Sequence, residues 1–402
     1  GRPVGNASVH YALRRSHGWQ RLEVTAGDSR YMHIGVSAWR LHGQRFGIGR
    51  YIEYLLKQWN TMLDPGDRVT LYTRDACDPG PLGLSSAFTN QVIRPALTNA
   101  LWENLLLPRA ARHLDVLFGP SYTLPLFYRG PSVVSIHSVD EAAGAHSLWH
   151  QMTYSQKYRL SARRADMVVT NAQSTTDRVH SAYGIPLSKI ATIWLGADDA
   201  FRPIEDEALL RATRMQWIGT DRPYILFAGG LSRRRNVPML IEAFSILKKR
   251  EGIPHALLLF GANRGRVPFR EVAERCGVSD SVFQTDGRVK EHRELAAVYN
   301  AASVYVLPSS SEGFSLTLAE ALSCGTPAIT VNCAALGEVA HGYALTIATP
   351  NLQDLTEAIG SVLRDPDKAR ALRTKGLERA RELKWDVTAR KTLDVLRQVA
   401  LR

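Results

Sequence analysis

The densest chemistry in this sequence lies in the run Ser309-Ser310-Ser311-Glu312-Gly313-Phe314-Ser315-Leu316-Thr317-Leu318-Ala319-Glu320. It follows an apolar stretch over 303–307 closed by Pro308, and it passes into a helical pattern through Ala321 and Leu322. Gly313 is expected to let the backbone turn tightly at the helix entrance. Ser315 and Thr317 suit a cap and a first turn. The amides of 313–317 would then converge on one point, and a helix N-terminus with free N–H groups binds phosphate. The two acids fall at different places. Glu312, in the loop, can face ligand hydroxyls. Glu320, inside the helix, can accept two hydrogen bonds from a ribose diol, as acidic residues do in dinucleotide folds. Read alone, the same stretch is also a plain strand–loop–helix with a capping acid and a surface acid.

Three further segments carry candidate chemistry. Gly229-Gly230-Leu231-Ser232-Arg233-Arg234-Arg235-Asn236 joins a strand to a helix. Three consecutive arginines repel one another and have no acid beside them in sequence. A solvated loop would tolerate them, and a diphosphate would use them, because a guanidinium binds phosphate oxygens in pairs. Phe46-Gly47-Ile48-Gly49-Arg50-Tyr51 precedes another helix, and its glycines permit close backbone approach to a ligand. Val133-Val134-Ser135-Ile136-His137-Ser138 puts His137 just past the carboxyl end of an apolar strand, where site residues of open parallel sheets sit. Asp365-Pro366-Asp367 could be taken for a metal-binding Asp-x-Asp, but it opens the helical stretch 368–383, where Asp and Pro are ordinary start residues.

The elements that must hold these residues alternate. Strands are expected at 32–37, 69–72, 116–118, 133–136, 167–170 and 190–193, then at 224–228, 256–261, 303–307 and 328–331. Helical patterns lie between them, at 49–59 and 155–164 and from Val237, Glu291 and Leu316 onward. Alternating strands and helices imply parallel sheets covered on both faces. The turn-like Leu195-Gly196-Ala197-Asp198-Asp199, and a charged stretch framed by Pro203 and Pro223, place a linker near 200–222. Two doubly wound domains joined there would leave a cleft between the carboxyl ends of their strands.

Composition agrees with two such domains. A chain of 402 residues with 45% hydrophobic and 22% charged residues exceeds one core of ordinary size. Fifty basic against 38 acidic residues give a net charge of +12, which favours an anionic partner without choosing among nucleic acid, lipid surface and phosphorylated ligand. Helix-turn-helix, finger and aromatic-and-basic strand motifs are absent from the sequence, so nucleic acid is not the expected partner. Cys77, Cys276, Cys324 and Cys333 form no Cys-x-x-Cys pair and read as reduced thiols of a cytoplasmic protein. No run approaches the ~18 apolar residues of a membrane span. A candidate helix bearing Arg159, Arg163 and Arg164 with Tyr154, Tyr158 and Leu160 could dock peripherally on anionic lipid at the inner face of a membrane. Residues 1–31 are polar and read as an irregular extension without a functional role.

Taken together, the segments resemble the GT-B glycosyltransferases, in particular the retaining family 4 enzymes (glycosyltransferase group 1), over nearly the whole chain after Met32. Glu312 and Glu320 match that family's Glu-x7-Glu motif with its Glu-Gly-Phe start. Phe46 to Tyr51 looks like its Gly-Ile-Gly-Arg-Tyr entry, Arg234-Arg235-Asn236 like its Arg-Lys-Asn, and His137 like its cleft histidine. Gly287-Arg288-Val289 before the helix ending in Tyr299-Asn300-Ala301 also fits. The sequence departs from the family where Arg235 replaces a common Lys, Gly230 a frequent Arg, Ser138 a common Asp and Ser315 a usual Gly.

The resemblance implies an α/β, GT-B architecture of two Rossmann-like doubly wound domains around an interdomain cleft. The expected division is 32–200 on the acceptor side, 201–384 for the nucleotide sugar, and a helix over 385–402 crossing back to the first domain. It implies His137 and Glu312 as catalytic residues, with Glu312 on the donor-sugar hydroxyls and His137 near the reacting carbon. Gly47, Gly49, Arg234, Arg235, Gly313, Phe314, Ser315, Leu316 and Glu320 would bind the nucleotide sugar, Glu320 on the ribose and the arginines on the phosphates. The activity implied is a retaining, metal-independent hexosyl transfer in glycan biosynthesis. The donor would be a UDP- or GDP-sugar, with a leaning to mannose. No cofactor is expected, and the acceptor, lipid-linked or saccharide, is not identified. The alternatives are a GT-B-fold nucleotide-sugar epimerase and a non-catalytic nucleotide-sugar-binding protein.

Overall fold

The β-branched runs pair in parallel and segregate into two sheets. The computed structural model describes residues 11–15, 18–22, 31–41, 47–75, 82–139, 148–289 and 291–402; Phe46 and Cys77 lie outside the described residues. The first sheet contains β3 (His33–Ser37), β4 (Arg68–Thr73), β5 (Phe88–Val92), β6 (Val116–Gly119), β7 (Ser132–Ile136), β8 (Met167–Thr170) and β9 (Ile190–Thr192), in the order β5-β4-β3-β6-β7-β8-β9. The second contains β10 (Tyr224–Ala228), β11 (Ala256–Phe260), β12 (Val282–Thr285), β13 (Val304–Leu307), β14 (Ala328–Val331) and β15 (Leu345–Ile347), in the order β12-β11-β10-β13-β14-β15. Ahead of both, β1 (Tyr11–Arg15) and β2 (Gly18–Leu22) pair as an antiparallel hairpin within the stretch expected to be irregular.

Strand order reverses between β3 and β6 in the first sheet and between β10 and β13 in the second. At such switch points neighbouring strands send their following loops to opposite faces, which opens a crevice at their carboxyl ends. Strands β10, β11, β13 and β14 are buried throughout, as continuous apolar strands of helix-covered parallel sheets should be.

The expected linker over 200–222 is corrected. It contains the helix Glu207–Ile218, capped by Asp206 through a bond from Leu209 N of 3.1 Å, and this helix packs on β11 and β12 of the second sheet. The apolar Leu210 and Ile218 point inward, so helical periodicity outweighed the charged composition.

Chain crossings between the domains run side by side. Ala197 N donates to Leu383 O at 3.0 Å and Thr388 Oγ1 to Trp194 O at 2.7 Å. The helix Trp385–Ala400 then lies on the first domain, where Trp59 Nε1 donates to Ala389 O at 2.9 Å and the Trp385 ring stacks on Tyr54 with centroids 4.7 Å apart. Opposite, Glu338 of the second domain accepts from Gln173 N and Ser174 N, both at 2.7 Å. These amides open the helix Gln173–Tyr183, whose positive end favours the carboxylate.

Candidate functional site

The loops after β10 and β13 meet because their strands are neighbours at the switch point. Ser310 N donates to Arg234 O at 2.8 Å, Asn236 Nδ2 donates to Pro308 O at 2.8 Å, and Arg234 Nη1 donates to Ser311 O. Asn236 takes a left-handed conformation at φ 50°, which asparagine tolerates better than most residues. The acid missing from the sequence neighbourhood of the arginines is thus supplied by the fold. Glu312 Oε2 lies 2.7 Å from Arg234 Nη1, and Glu312 Oε1 lies 2.9 Å from Arg235 Nε. Ser309 Oγ also donates to Oε1, at 3.1 Å. Burial by itself would raise the Glu312 pKa, but the Arg235 and Arg234 guanidiniums outweigh it and hold the carboxyl below its usual range. Arg234 stays exposed while Arg235 and Glu312 are largely covered.

The helix Leu316–Ser323 begins immediately beyond this cluster. The strained residue at its entrance is Ser315, at φ 75°, and not Gly313 as expected. Ser315 Oγ accepts from Leu318 N at 3.3 Å and so caps the helix. Gly313 is needed for another reason. A Cβ there would stand 2.1 Å from the carbonyl oxygen of His137, in the first domain. The two domains therefore touch backbone to backbone at the motif. The buried Asn171 side chain, oriented with its nitrogen toward the two carbonyls, donates to His137 O at 3.1 Å and to Gly313 O at 3.0 Å.

His137 follows β7 directly, and its Nε2 donates to Pro120 O at 2.9 Å. The Tyr51 ring meets it edge-on with centroids 4.7 Å apart, and Tyr122 does so at 5.5 Å. The imidazole is thereby fixed, while the carbonyl of the same residue lies against Gly313. Gly47 sits at φ 46° as the first flank of the helix Ile48–Trp59, a backbone shape that favours glycine, whereas Gly49 is buried inside the helix.

Glu320 is 1% exposed and both its oxygens are engaged. Tyr299 Oη donates to Oε2 at 2.8 Å, and Arg50 Nη2 donates to Oε1 at 2.5 Å. Arg50 comes from the first domain. Burial would lower its pKa, but Glu320 and Tyr54 more than compensate and raise it. Its Nη2 also donates to Tyr54 Oη at 3.0 Å, and that hydroxyl lies 3.1 Å from His292 Nδ1. Burial and the Arg50 charge lower the His292 pKa.

The structure thus gathers Glu312, Arg234, Arg235, Gly313, Ser315, Leu316 and Glu320 on the loops after β10 and β13 and the helix that follows, with the backbone of His137 against Gly313 and with Phe314 buried. Sequence reasoning missed Arg50, Tyr299, Tyr54, His292 and Asn171. Arg50 and Tyr299 stood inside quoted motifs, but partners 270 and 21 residues away in sequence gave them no local signal. The expected lipid-facing helix is reduced. Arg163 Nε turns inward to Tyr183 O at 3.2 Å, Arg164 Nη2 to Tyr128 O at 2.6 Å, and Tyr158 is buried against Tyr122. Asp365 caps the helix Pro366–Ala380 by accepting from Lys368 N at 3.0 Å. Among the described residues no helix is long and apolar enough to cross a membrane.

A family model described as Glycosyl transferases group 1 matches residues 214–379, and one described as Glycosyltransferase Family 4 matches residues 47–201. The chain is 29% identical over 244 residues to the D-inositol 3-phosphate glycosyltransferase of Corynebacterium urealyticum, an alignment covering 58% of this chain and 57% of that protein's length. It is 26% identical over 284 residues to the O-antigen chain mannosyltransferase B of Escherichia coli, covering 66% and 73%. Among solved structures it is similar to Anabaena Alr3699/HepE in complex with UDP-glucose, with a TM-score of 0.73, 15% identity and coverage of 92% of this chain and all of that one. This last likeness shows the fold, GT-B.

Proposed function

We infer the function from one premise: the chain belongs to the group 1, family 4 glycosyltransferases, with both of that group's domains present. We propose that it transfers a hexose from a nucleotide-diphosphate sugar to a hydroxyl acceptor, with retention at the anomeric carbon. The observation that carries this reading is the Arg234–Glu312–Arg235 cluster at the mouth of the helix Leu316–Ser323, with the backbone of His137 in contact at Gly313. Breaking the bond from sugar to diphosphate leaves negative charge on the departing phosphate. Two guanidiniums and a helix N-terminus would receive it. When a donor enters, Glu312 takes the sugar hydroxyls, and the guanidinium edges turned away from it take the phosphate oxygens. Glu320 takes the ribose. The acceptor hydroxyl attacks from the leaving-group side and passes its proton to a donor phosphate oxygen, while His137 orients the sugar and stabilises its developing positive charge. Crevice closure excludes water and limits donor hydrolysis. UDP-glucose in the HepE structure and the mannosyltransferase among the relatives support a nucleotide-sugar donor; GDP-mannose and UDP-glucose are the first to try.

A thermal-shift and calorimetric panel of UDP, GDP and their sugars tests the reading. One nucleotide family should stabilise the protein, and Glu320→Ala should bind it at least tenfold more weakly. Equal binding by Glu320→Ala removes the ribose role, and failure of the whole panel to bind overturns the function. An anomer inverted in the product, or loss of activity in EDTA, would contradict the retaining, metal-independent course.

A further inference from the structure

The carboxylate proposed for the ribose is already occupied by protein. We propose that Arg50 is a positioning residue that takes the place of the ribose hydroxyls on Glu320, latching the domains together until a donor displaces it; this rests on the ribose reading of Glu320.

The geometry carries the argument. A ribose diol would use both oxygens of Glu320; Tyr299 Oη at 2.8 Å takes one of the two acceptor sites of Oε2, and Arg50 Nη2 at 2.5 Å covers Oε1. Tyr299 belongs to the same domain as Glu320 and is buried in its core, so it cannot leave. Arg50 belongs to the other domain, on the helix Ile48–Trp59, and domain motion can withdraw it. Its Nε is buried and has no hydrogen-bond partner among the described residues. The guanidinium is held between the Tyr54 and Phe201 rings, 5.6 and 6.0 Å from their centroids. Its charge also acts on His292 and Tyr299. The head is therefore matched on one edge by Glu320 and Tyr54 and left unmatched on Nε, which is the pattern of a residue with a second position to adopt. When Arg50 withdraws, Glu320 is left buried and uncompensated unless hydroxyl donors replace it. A nucleotide carrying both ribose hydroxyls supplies them, and a 2′-deoxynucleotide supplies only one.

The test uses the full chain and two readouts. In Arg50→Met the competitor is gone. Affinity for the UDP or GDP that the parent prefers should rise about tenfold, and the ligand-free radius of gyration by small-angle scattering should increase, returning to the parent's value when nucleotide is added. The matching 2′-deoxynucleotide should gain less. Arg50→Lys, which keeps the charge without the planar fork, should fall between, and it replaces the methionine variant if that one fails to melt cooperatively. A loss of affinity in Arg50→Met would make Arg50 a ligand of the donor and overturn the proposal. Unchanged affinity and radius would make the pair purely structural and overturn it equally. The ribose reading fails separately, if Glu320→Gln binds nucleotide as well as the parent does.

Discussion

Replacing Gly313 by alanine would put a methyl carbon 2.1 Å from the carbonyl oxygen of His137. The obstructing atom is backbone in a packed loop, so it cannot rotate aside, and the loops after β7 and β13 must separate by about 1 Å. That movement stretches both Asn171 bonds, at 3.1 and 3.0 Å, which bridge the same two carbonyls. Two such bonds contribute about 2 kcal/mol to the closed arrangement, equivalent to about thirtyfold in its population relative to an open one. His137 moves with its loop, and a misplacement of about 1 Å near the chemistry costs about a hundredfold in rate. Neither sheet's core contains the substitution, so the melting temperature should fall by no more than about 2–4 °C. The assay is release of nucleoside diphosphate from the preferred donor, alongside scattering of the ligand-free protein. Turnover should drop by one to two orders of magnitude, and the radius of gyration should increase. A Gly313→Ala variant with parental turnover and parental radius would refute the account, because the contact between Gly313 and His137 could then not govern closure.

Other expectations follow from single sites. His137→Ala should lower turnover by about a hundredfold while donor affinity, measured by calorimetry, changes by less than about threefold, since the ring, held by Pro120 O and Tyr51, is proposed to act on the sugar and not on the phosphates or ribose. Ser315→Gly should stabilise the protein by about 0.5–1 kcal/mol, because relief of a left-handed backbone outweighs a cap that glycine largely replaces; the urea midpoint should rise with its slope unchanged. Burial, aided by Lys248, lowers the His255 pKa from 6.5 to about 4. The unfolded chain therefore takes up this proton below pH 6.5 and the folded one only near pH 4. Stability should fall as pH drops through that window, by about 1–2 kcal/mol after allowing for partial exposure. His255→Gln should flatten that part of the stability–pH curve, and an unchanged slope would remove His255 as its source.

The sequence by itself determined the strands that are buried on both faces. Strands β8, β10 and β14 fall on the expected residues, and the helices starting at Val237, Leu316 and Trp385 begin where expected. A continuous apolar run between turn residues records its own burial. Strands β5, β12 and β15 went unread, and all three are sheet edges, where one side faces no partner and short polar sequences such as Phe88–Val92 suffice. The sequence also named the motif residues, because glycine, capping serine and clustered arginine act locally. What only the tertiary structure decided was pairing across distance: Glu312 as the counter-charge of Arg234 and Arg235, Gly313 against His137, and Arg50 on Glu320. Electrostatic and packing partners are set by proximity in space, and neither residue type nor spacing along the chain encodes which side chains a closed crevice will bring within 3 Å of each other.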